Sequence, residues 1–515
     1  MSALHLQDCL PAELGPWQLD FERWPQAQAQ RWRAVLAQGG NADAPRLVLL
    51  ADRPLDPMLL QSLESRLQAA VDWQRCEAAA LDHWLGSGAA DFRALAGVQE
   101  GLGGTEAKAQ AEPVEELSAL SLAETASPAV RLLNATLFDA LQDGASDVHL
   151  ECTARGAQIR FRIDGVMAPV RQVEGAALAE QLVSRLKVMA ELDIGERRVP
   201  QDGRFKLRHA GREIDFRLSI MPSVFGEDAV VRLLDRARIE QDQGALSLDA
   251  LGFGEAERAA LRQQARQPHG MLLVTGPTGS GKTTTLYATL TEIHTGQDKI
   301  ITIEDPVEYQ LPGVVQIPVN EKKGLTFSRG LRSILRHDPD RVMVGEIRDA
   351  ETAQIAVQAA LTGHLVFSTV HANNAFDVIG RFMHMGLDLY NVVSALNAVL
   401  AQRLMRLNCR HCAVSTAVDP AVLARHGLLG TAHPFMKGEG CGHCRGTGYR
   451  GRRAVAELLR LDDGLRDLIA SRAPMSQIKE AARSRGMTPL RQQALAAVCR
   501  GESTFEELDR VTLDE

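Results

Sequence analysis

Aromatic residues are scarce in this chain. Phe, Trp and Tyr make up 4% of 515 residues, and there are only four tyrosines. Cores must therefore rest on Leu, Ala, Val and Ile, and few rings are available to stack on nucleobases. Long apolar runs are missing too: no uninterrupted stretch approaches the roughly 18 residues needed to cross a bilayer. There is no excess of positive charge. Against 57 Lys and Arg stand 65 Asp and Glu, a net −8 that gives no general attraction to nucleic acid or anionic membrane. Met1 to Trp17 carries Asp8 and Glu13 and no basic segment, so it does not read as a secretory signal. A cytosolic chain is expected, meeting a membrane only through a partner. Cysteines number eight. Cys9, Cys76, Cys152 and Cys499 are scattered and read as small buried or neutral residues of a reducing compartment.

The length suits three or four domains. Residues 1–98 read as a small α/β domain: Arg46–Ala51 is a strand, and Leu59, Leu60, Leu63, Leu67 and Val71 recur at helical spacing. Residues 99–127 open on Gly101-Leu102-Gly103-Gly104 and have linker composition. Residues 128–236 read as an α+β domain. A helix through Leu132–Leu141 breaks at Gly144, and alternating strands follow, with a turn at Asp164-Gly165 and a helix around Leu182–Leu192. Residues 245–405 alternate strand and helix as a parallel sheet does. Residues 406–455 hold four clustered cysteines, and 456–515 read as short helices over Leu465–Ser471, Ser476–Ser484 and Leu490–Val498.

The most specific signal is Gly276-Pro277-Thr278-Gly279-Ser280-Gly281-Lys282-Thr283, which fits G-x-x-x-x-G-K-[ST] at every fixed position. Met271–Val274 before it reads as a buried strand, and the run from Thr284 after it reads as a helix. Glycines let backbone N–H groups wrap a phosphate, and the helix N-terminus favours negative charge. Lys282 would reach the β- and γ-phosphates of ATP, and the Thr283 hydroxyl would hold Mg²⁺.

Further along, the apolar Val342-Met343-Val344 ends in Gly345-Glu346. A strand ending in an acid after a phosphate loop is a Walker B arrangement, although here Gly345 stands where an aspartate is usual. Glu346 could deprotonate an attacking water; the plainer reading is a strand-end carboxylate. Glu304, Asp305 and Glu308 gather after the run Ile300–Ile303, where ligands bind in open α/β sheets, or they line a solvated loop. The strand Leu365–Val370 is flanked by His364 and His371, which sense a γ-phosphate or are simply satisfied polar groups. Arg329, Arg332 and Arg336 fall on one helical face, and Arg217 and Arg232 lie on strands of the preceding domain. They form either a charge stripe or the cations that gate phosphoryl transfer.

Cys409-x-x-Cys412 and Cys441-x-x-Cys444 stand 28 residues apart. Two such knuckles can present four thiolates tetrahedrally to Zn²⁺, with no open coordination position, so the metal would staple rather than catalyse. A redox pair would need only one knuckle.

Together these segments resemble the secretion ATPase family, in particular the type II secretion ATPase and the related type IV pilus assembly ATPase. The resemblance runs from about residue 128 to 515. It includes Ala145–Glu151, Arg160–Gly165, Pro200–Arg204, the phosphate loop, Ile303–Tyr309, Asp338–Asp349, the histidine stretch and Thr447–Arg452. It implies a RecA-like P-loop core, a preceding α+β (PAS-like) domain, a small N-terminal α/β domain and a four-cysteine zinc insertion. It implies Glu346 as general base, Glu304 and Asp305 as an acidic box near metal and water, and His364 and His371 as a histidine box. Arg217, Arg232, Arg332, Arg336 and Arg381 are implied to contact nucleotide. Ala372 and Asn374 replace the threonine and aspartate usual in the histidine box and are expected to tune it.

The family assembles as hexamers that convert ATP hydrolysis into motion. That motion passes to an inner-membrane platform protein, which adds pilin-like subunits to a fibre. Residues 1–98 would dock a membrane-anchored adaptor, leaving the protein peripheral at the inner membrane. The fairly short N-terminal region favours type II secretion over pilus assembly, and the pilus retraction ATPase lacks the four cysteines. A nucleic-acid translocase and a non-hydrolysing scaffold are the readings from other classes. The acidic balance and the few aromatics oppose the first, and Glu346 opposes the second.

Overall fold

The computed structural model describes residues 127–234 and 246–512 continuously and, within 18–117, the segments named below. The chain divides into two compact units, Met1–Asp235 and Arg236–Glu515.

In the first unit, β1 (Gln18–Leu19), β2 (Ala34–Gly39), β3 (Arg46–Ala51) and β4 (Val71–Arg75) form a sheet in that order, with β3 and β4 parallel. Trp24, Leu36, Leu49, Leu50, Leu63 and Leu81 fill its core. Leu59 and Leu60, expected on a helix, lie outside the described residues. A second sheet takes β5 (Glu116–Leu117), β6 (Asp147–Thr153), β7 (Gly156–Ile163), β8 (Val166–Glu174), β9 (Gln201–His209), β10 (Arg212–Ser223) and β11 (Gly226–Leu234) in the order β5-β9-β10-β11-β6-β7-β8. Helices α1 (Pro128–Asp143) and α2 (Ala176–Met189) pack their apolar faces into its core. Leu117 belongs to that core and pairs with His209, so Glu116–Leu117, inside the segment read as linker, are part of the sheet.

The second unit begins with α3 (Glu255–Ala265), β12 (Gly270–Thr275), α4 (Lys282–Ile293), β13 (Ile300–Glu304) and β14 (Val315–Pro318). It continues with α5 (Phe327–Ile334), β15 (Arg341–Val344), α6 (Ala350–Leu361), β16 (Leu365–Val370), α7 (Asp377–His384), α8 (Leu389–Ala395) and β17 (Leu396–Asn408). Next come β18 (Ala413–Ser415), α9 (Pro420–Arg425), β19 (Met436–Gly438) and β20 (Tyr449–Arg460). The unit ends with α10 (Asp463–Ala470), α11 (Met475–Ser484), α12 (Leu490–Cys499) and α13 (Phe505–Val511). The sheet order is β14-β13-β15-β16-β12-β17-β20. Strands β12, β13 and β16 are buried along their whole length, as unbroken apolar runs in a parallel sheet covered on both faces should be.

The structure moves the boundary drawn at 405/406. Strand β17 runs on to Asn408 and pairs antiparallel with β20, from Ala398 opposite Arg460 to Asn408 opposite Tyr449. Residues 449–460 therefore close the edge of the core sheet, and the cysteine module is the excursion between these two strands. Among the described residues no helix is long and apolar enough to cross a membrane.

Candidate nucleotide site and cysteine cluster

The parallel strands β12, β13, β15 and β16 end on one edge of the sheet, where the candidate residues collect. The loop 276–281 leaves β12 and opens α4 at Lys282. Its first glycine is sterically required. Gly276 has φ +147, and a Cβ there would stand 2.4 Å from the Gln402 carbonyl oxygen. Lys282 Nζ donates to the carbonyls of Gly276 and Pro277, at 2.9 and 3.1 Å. Burial lowers the Lys282 ammonium pKa; the nearby Glu346 charge opposes that shift and Arg403 adds to it.

Glu346 follows Gly345 at the end of β15, mostly buried at 15% side-chain exposure. A Cβ on Gly345 would lie 3.3 Å from the Ile303 carbonyl oxygen, because β13 runs close alongside. A side chain there would need β13 to give by a few tenths of an ångström. Glu346 accepts a bond from Arg348 at 2.5 Å, and His371 Nε2 lies 3.6 Å from its other oxygen. Burial lowers the His371 pKa and the Lys282 charge lowers it further, against the opposing pull of Glu346; the net shift favours the neutral ring.

Loop 371–375 is stapled to the core. The Thr275 hydroxyl donates to Val370 and Ala372 carbonyls and accepts the Ala372 N–H, at 2.9 to 3.0 Å. Arg403 Nη2 donates to the Asn373 carbonyl at 2.7 Å, and the buried Glu457 accepts the Ala375 N–H at 2.9 Å. Gln402 Nε2 holds the Ser280 carbonyl at 2.7 Å, while its Oε1 accepts from Thr285.

Several expected site residues are placed elsewhere. His364 stands at the opposite end of β16 from His371; its carbonyl accepts the Gly270 N–H at the start of β12, and its ring faces the Ala359 carbonyl. One strand cannot bring residues at its two ends to one phosphate, so the histidine pair does not form a single cluster within this chain. The Glu304 carboxylate is 2% exposed and bonded to Tyr287, Thr302 and Gln316, so it does not open towards the phosphate loop. The expected arginine stripe divides because α5 stops at Ile334. Arg329 reaches the Gly324 carbonyl, Arg332 pairs with Glu351 at 2.6 Å, and Arg336 donates to the Arg332 carbonyl. Arg381 is exposed on α7. In the first unit, Arg217 and Arg232 are cross-strand neighbours on β10 and β11; Arg232 is bonded to Asp147 at 2.9 Å.

The residues missed in the sequence are Thr275, Arg348, Gln402 and Arg403 at the loop, and Tyr287 and Gln316 behind it. Gln402-Arg403 had a visible signal: two polar residues interrupting the apolar run from Ala398 to Met405. Tyr287 had another, as one of four tyrosines in the chain.

In the cysteine module, the four Sγ atoms of Cys409, Cys412, Cys441 and Cys444 lie within 4.8 Å of one another. The Sγ–Sγ separations are 3.9 Å for Cys409–Cys441, 3.7 Å for Cys412–Cys444 and 3.7 Å for Cys441–Cys444. A tetrahedron with metal–sulfur bonds of about 2.3 Å has edges of about 3.8 Å, so the donor set fits Zn²⁺. Gly440 donates its N–H to Cys412 Sγ at 3.3 Å, and Cys441 and Gly448 donate theirs to Cys444 Sγ at 3.2 and 3.3 Å. Burial pushes the Cys412 thiol up to about 12. Burial opposes ionisation of Cys444 too, but its two N–H donors bring it down to about 6. Four sulfurs this close ionise together only around a cation. The cluster can therefore bind a metal of zinc's chemistry.

A phosphate loop opening a helix, with a glutamate at a nearby parallel strand end, defines a RecA-like P-loop ATPase. Comparison with known proteins fixes the family. The model described as Type II/IV secretion system protein matches residues 122–510, and the chain belongs to that family as an ATP hydrolase. Type II secretion system protein E of Pseudomonas aeruginosa is 47% identical over 427 residues, covering 82% of this chain and 84% of the relative. Type II secretion system ATPase E of Vibrio cholerae is 43% identical over 454 residues, covering 87% and 85%. The solved ATPase DotB of Legionella pneumophila is alike in fold, with a TM-score of 0.54 at 18% identity over 74% of this chain and 94% of its own. Nucleotide and Mg²⁺ use follow from the family.

Proposed function

We propose that this chain is the hexameric motor of type II secretion, hydrolysing ATP in the cytosol at the inner membrane to drive assembly of a pilin-like fibre. The observation that carries the reading is the position of Glu346, whose charge acts on Lys282 and whose carboxylate lies 3.6 Å from a neutral His371. In this reading the N–H groups of loop 276–281 and Lys282 hold the β- and γ-phosphates, and Thr283 holds Mg²⁺, which when bound offsets phosphate charge. Glu346 takes the proton of the attacking water, after exchanging its bond to Arg348 for one to that water. Arg217, Arg232, Arg332, Arg336 and Arg381 would contact the nucleotide, some of them from the domain that precedes the ATPase core. Ring assembly then gates turnover, and a single chain turns over slowly.

Zinc on the four cysteines fixes the module structurally. The N-terminal sheet would meet a membrane-anchored adaptor, and the ring an inner-membrane platform protein. The test is phosphate release by rings assembled with the adaptor. Glu346→Gln should keep ATP binding and lose turnover by about 10²–10⁴-fold, whereas Lys282→Ala should weaken both. Wild-type turnover in Glu346→Gln removes the general base. Rings that release no phosphate with the adaptor present end the motor reading.

A further inference from the structure

Glu304 is the one member of the acidic stretch that the structure seals away. Its Oε2 accepts the Tyr287 hydroxyl, and its Oε1 accepts the Thr302 hydroxyl and Gln316 Nε2, the latter at 3.0 Å. Both oxygens are thus engaged by the chain's own donors, in a setting that excludes water.

The two long-range donors also hold the segment that follows. Tyr287 Oη accepts the Glu308 N–H at 3.3 Å, and its ring meets Tyr309 edge-on, with centroids 4.5 Å apart. Gln316 Nε2 donates to the Tyr309 carbonyl at 3.2 Å, and its Oε1 accepts the Leu311 N–H at 2.6 Å. Residues 305–311 are therefore fastened at 308, 309 and 311 to side chains that both grip Glu304. Tyr287 lies on α4, five residues after Lys282 and four after Thr283. Asp305 begins the fastened segment and is exposed; its charge reaches Arg348, the partner of Glu346. The buried carboxylate thus joins the helix that starts at the phosphate loop to the segment that carries Asp305.

We propose that Tyr287 and Gln316, acting through the buried Glu304 carboxylate, are positioning residues for ATP hydrolysis: they fix Asp305 and its loop against the helix beginning at Lys282, and Glu304 itself touches neither metal nor nucleotide. The reading differs from an acidic box in which both Glu304 and Asp305 face the metal. It predicts that Tyr287 and Glu304 act as one unit and that, of Glu304 and Asp305, only Asp305 answers to Mg²⁺.

The experiment uses the full-length protein and compares Tyr287→Phe, Gln316→Leu, Glu304→Gln, Asp305→Asn and the double variant Tyr287→Phe/Glu304→Gln. Turnover, KM for ATP, the Mg²⁺ concentration for half-maximal activity and the melting midpoint are measured for each. Tyr287→Phe, Gln316→Leu and Glu304→Gln should each lower kcat by about tenfold to a hundredfold through misplacement of the loop. KM and Mg²⁺ dependence should stay within about twofold of the parent. The double variant should be no slower than the slower single variant, since residues of one network do not add. Asp305→Asn should shift the Mg²⁺ dependence. A large Mg²⁺ shift in Glu304→Gln, absent from Tyr287→Phe, would put Glu304 on the metal and overturn the proposal. So would multiplicative losses in the double variant. If Glu304→Gln does not fold, Tyr287→Phe, which removes one oxygen, and Gln316→Leu carry the test. Unchanged kcat in both, with only a lower melting midpoint, reduces the network to scaffolding and ends the proposal.

Discussion

The phosphate loop and the cysteine module solve related problems with the same material. Each uses glycine-rich backbone and N–H donors to surround negative charge. In the module the chain supplies the anions itself: N–H groups of Gly440, Cys441 and Gly448 point at sulfurs only three to 28 residues away. At the loop the anion is the substrate, and the chain supplies only the walls. Those walls come from far off in sequence, since Gln402 lies 122 residues from Ser280, and Thr275 lies 97 from Ala372. A site whose charge is internal can be built locally. A site whose charge arrives and leaves must be held by the whole sheet.

Removing the metal proposed for the four cysteines should give the largest effect. Structural zinc is worth about 10–16 kcal/mol in small zinc-dependent folds near neutral pH. Chelation should therefore unfold residues 409–448 cooperatively and release one metal per chain, while β12 and the phosphate loop remain folded. Calorimetry with metal analysis reads this, and an unchanged melting curve would break the comparison.

Next is Glu507 on α13, which is 0% exposed and ties that helix to β17 through Arg406, with Arg510 of its own helix as a second partner. Replacing it with Ala leaves a buried guanidinium uncompensated and should cost about 3–5 kcal/mol. Burial pushes this carboxyl up, yet Arg510 and Arg406 outweigh it and hold the pKa below the ordinary value of 4.5. A folded pKa below the unfolded one means that the stabilisation is complete above 4.5 and is lost as pH falls through the folded value. Glu507→Gln should erase that acid-dependent loss in a melting series.

Smaller still is Thr275→Val, which strips the Ala372 N–H of its acceptor and should cost about 1–3 kcal/mol. Its diagnostic is faster amide exchange across 371–375. If the loop keeps its protection, local contacts hold it and the contrast in reach disappears. Smallest is a pH effect at His371. Its lowered pKa keeps the ring neutral, so any acid limb in the rate profile that His371→Gln removes should fall below 6.5.

These distances explain what could be read from the residues alone. The loop from Gly276 to Thr283 and the four cysteines were legible because their chemistry is contiguous or regularly spaced. The strand and helix runs of the core were legible because apolar period and length select them. Glu304 looked like an open carboxylate, because nothing within the stretch Ile300–Tyr309 announces that Tyr287 and Gln316 will cover it. His364 and His371 looked like a pair, although a six-residue strand separates its ends regardless of what flanks it. Arg336 looked helical from its spacing to Arg329 and Arg332, although α5 ends at Ile334, ahead of Pro339. The partnership of β17 with β20 was hidden by the module between them.

That partnership constrains how the protein is made. During synthesis β17, with Gln402 and Arg403 on it, emerges well before its outer neighbour, and one flank of its peptide groups stays uncovered until Tyr449–Arg460 arrives. Bare strand flanks recruit other chains. Until β20 pairs with it, β17 would present part of the wall of the nucleotide pocket as an open strand flank.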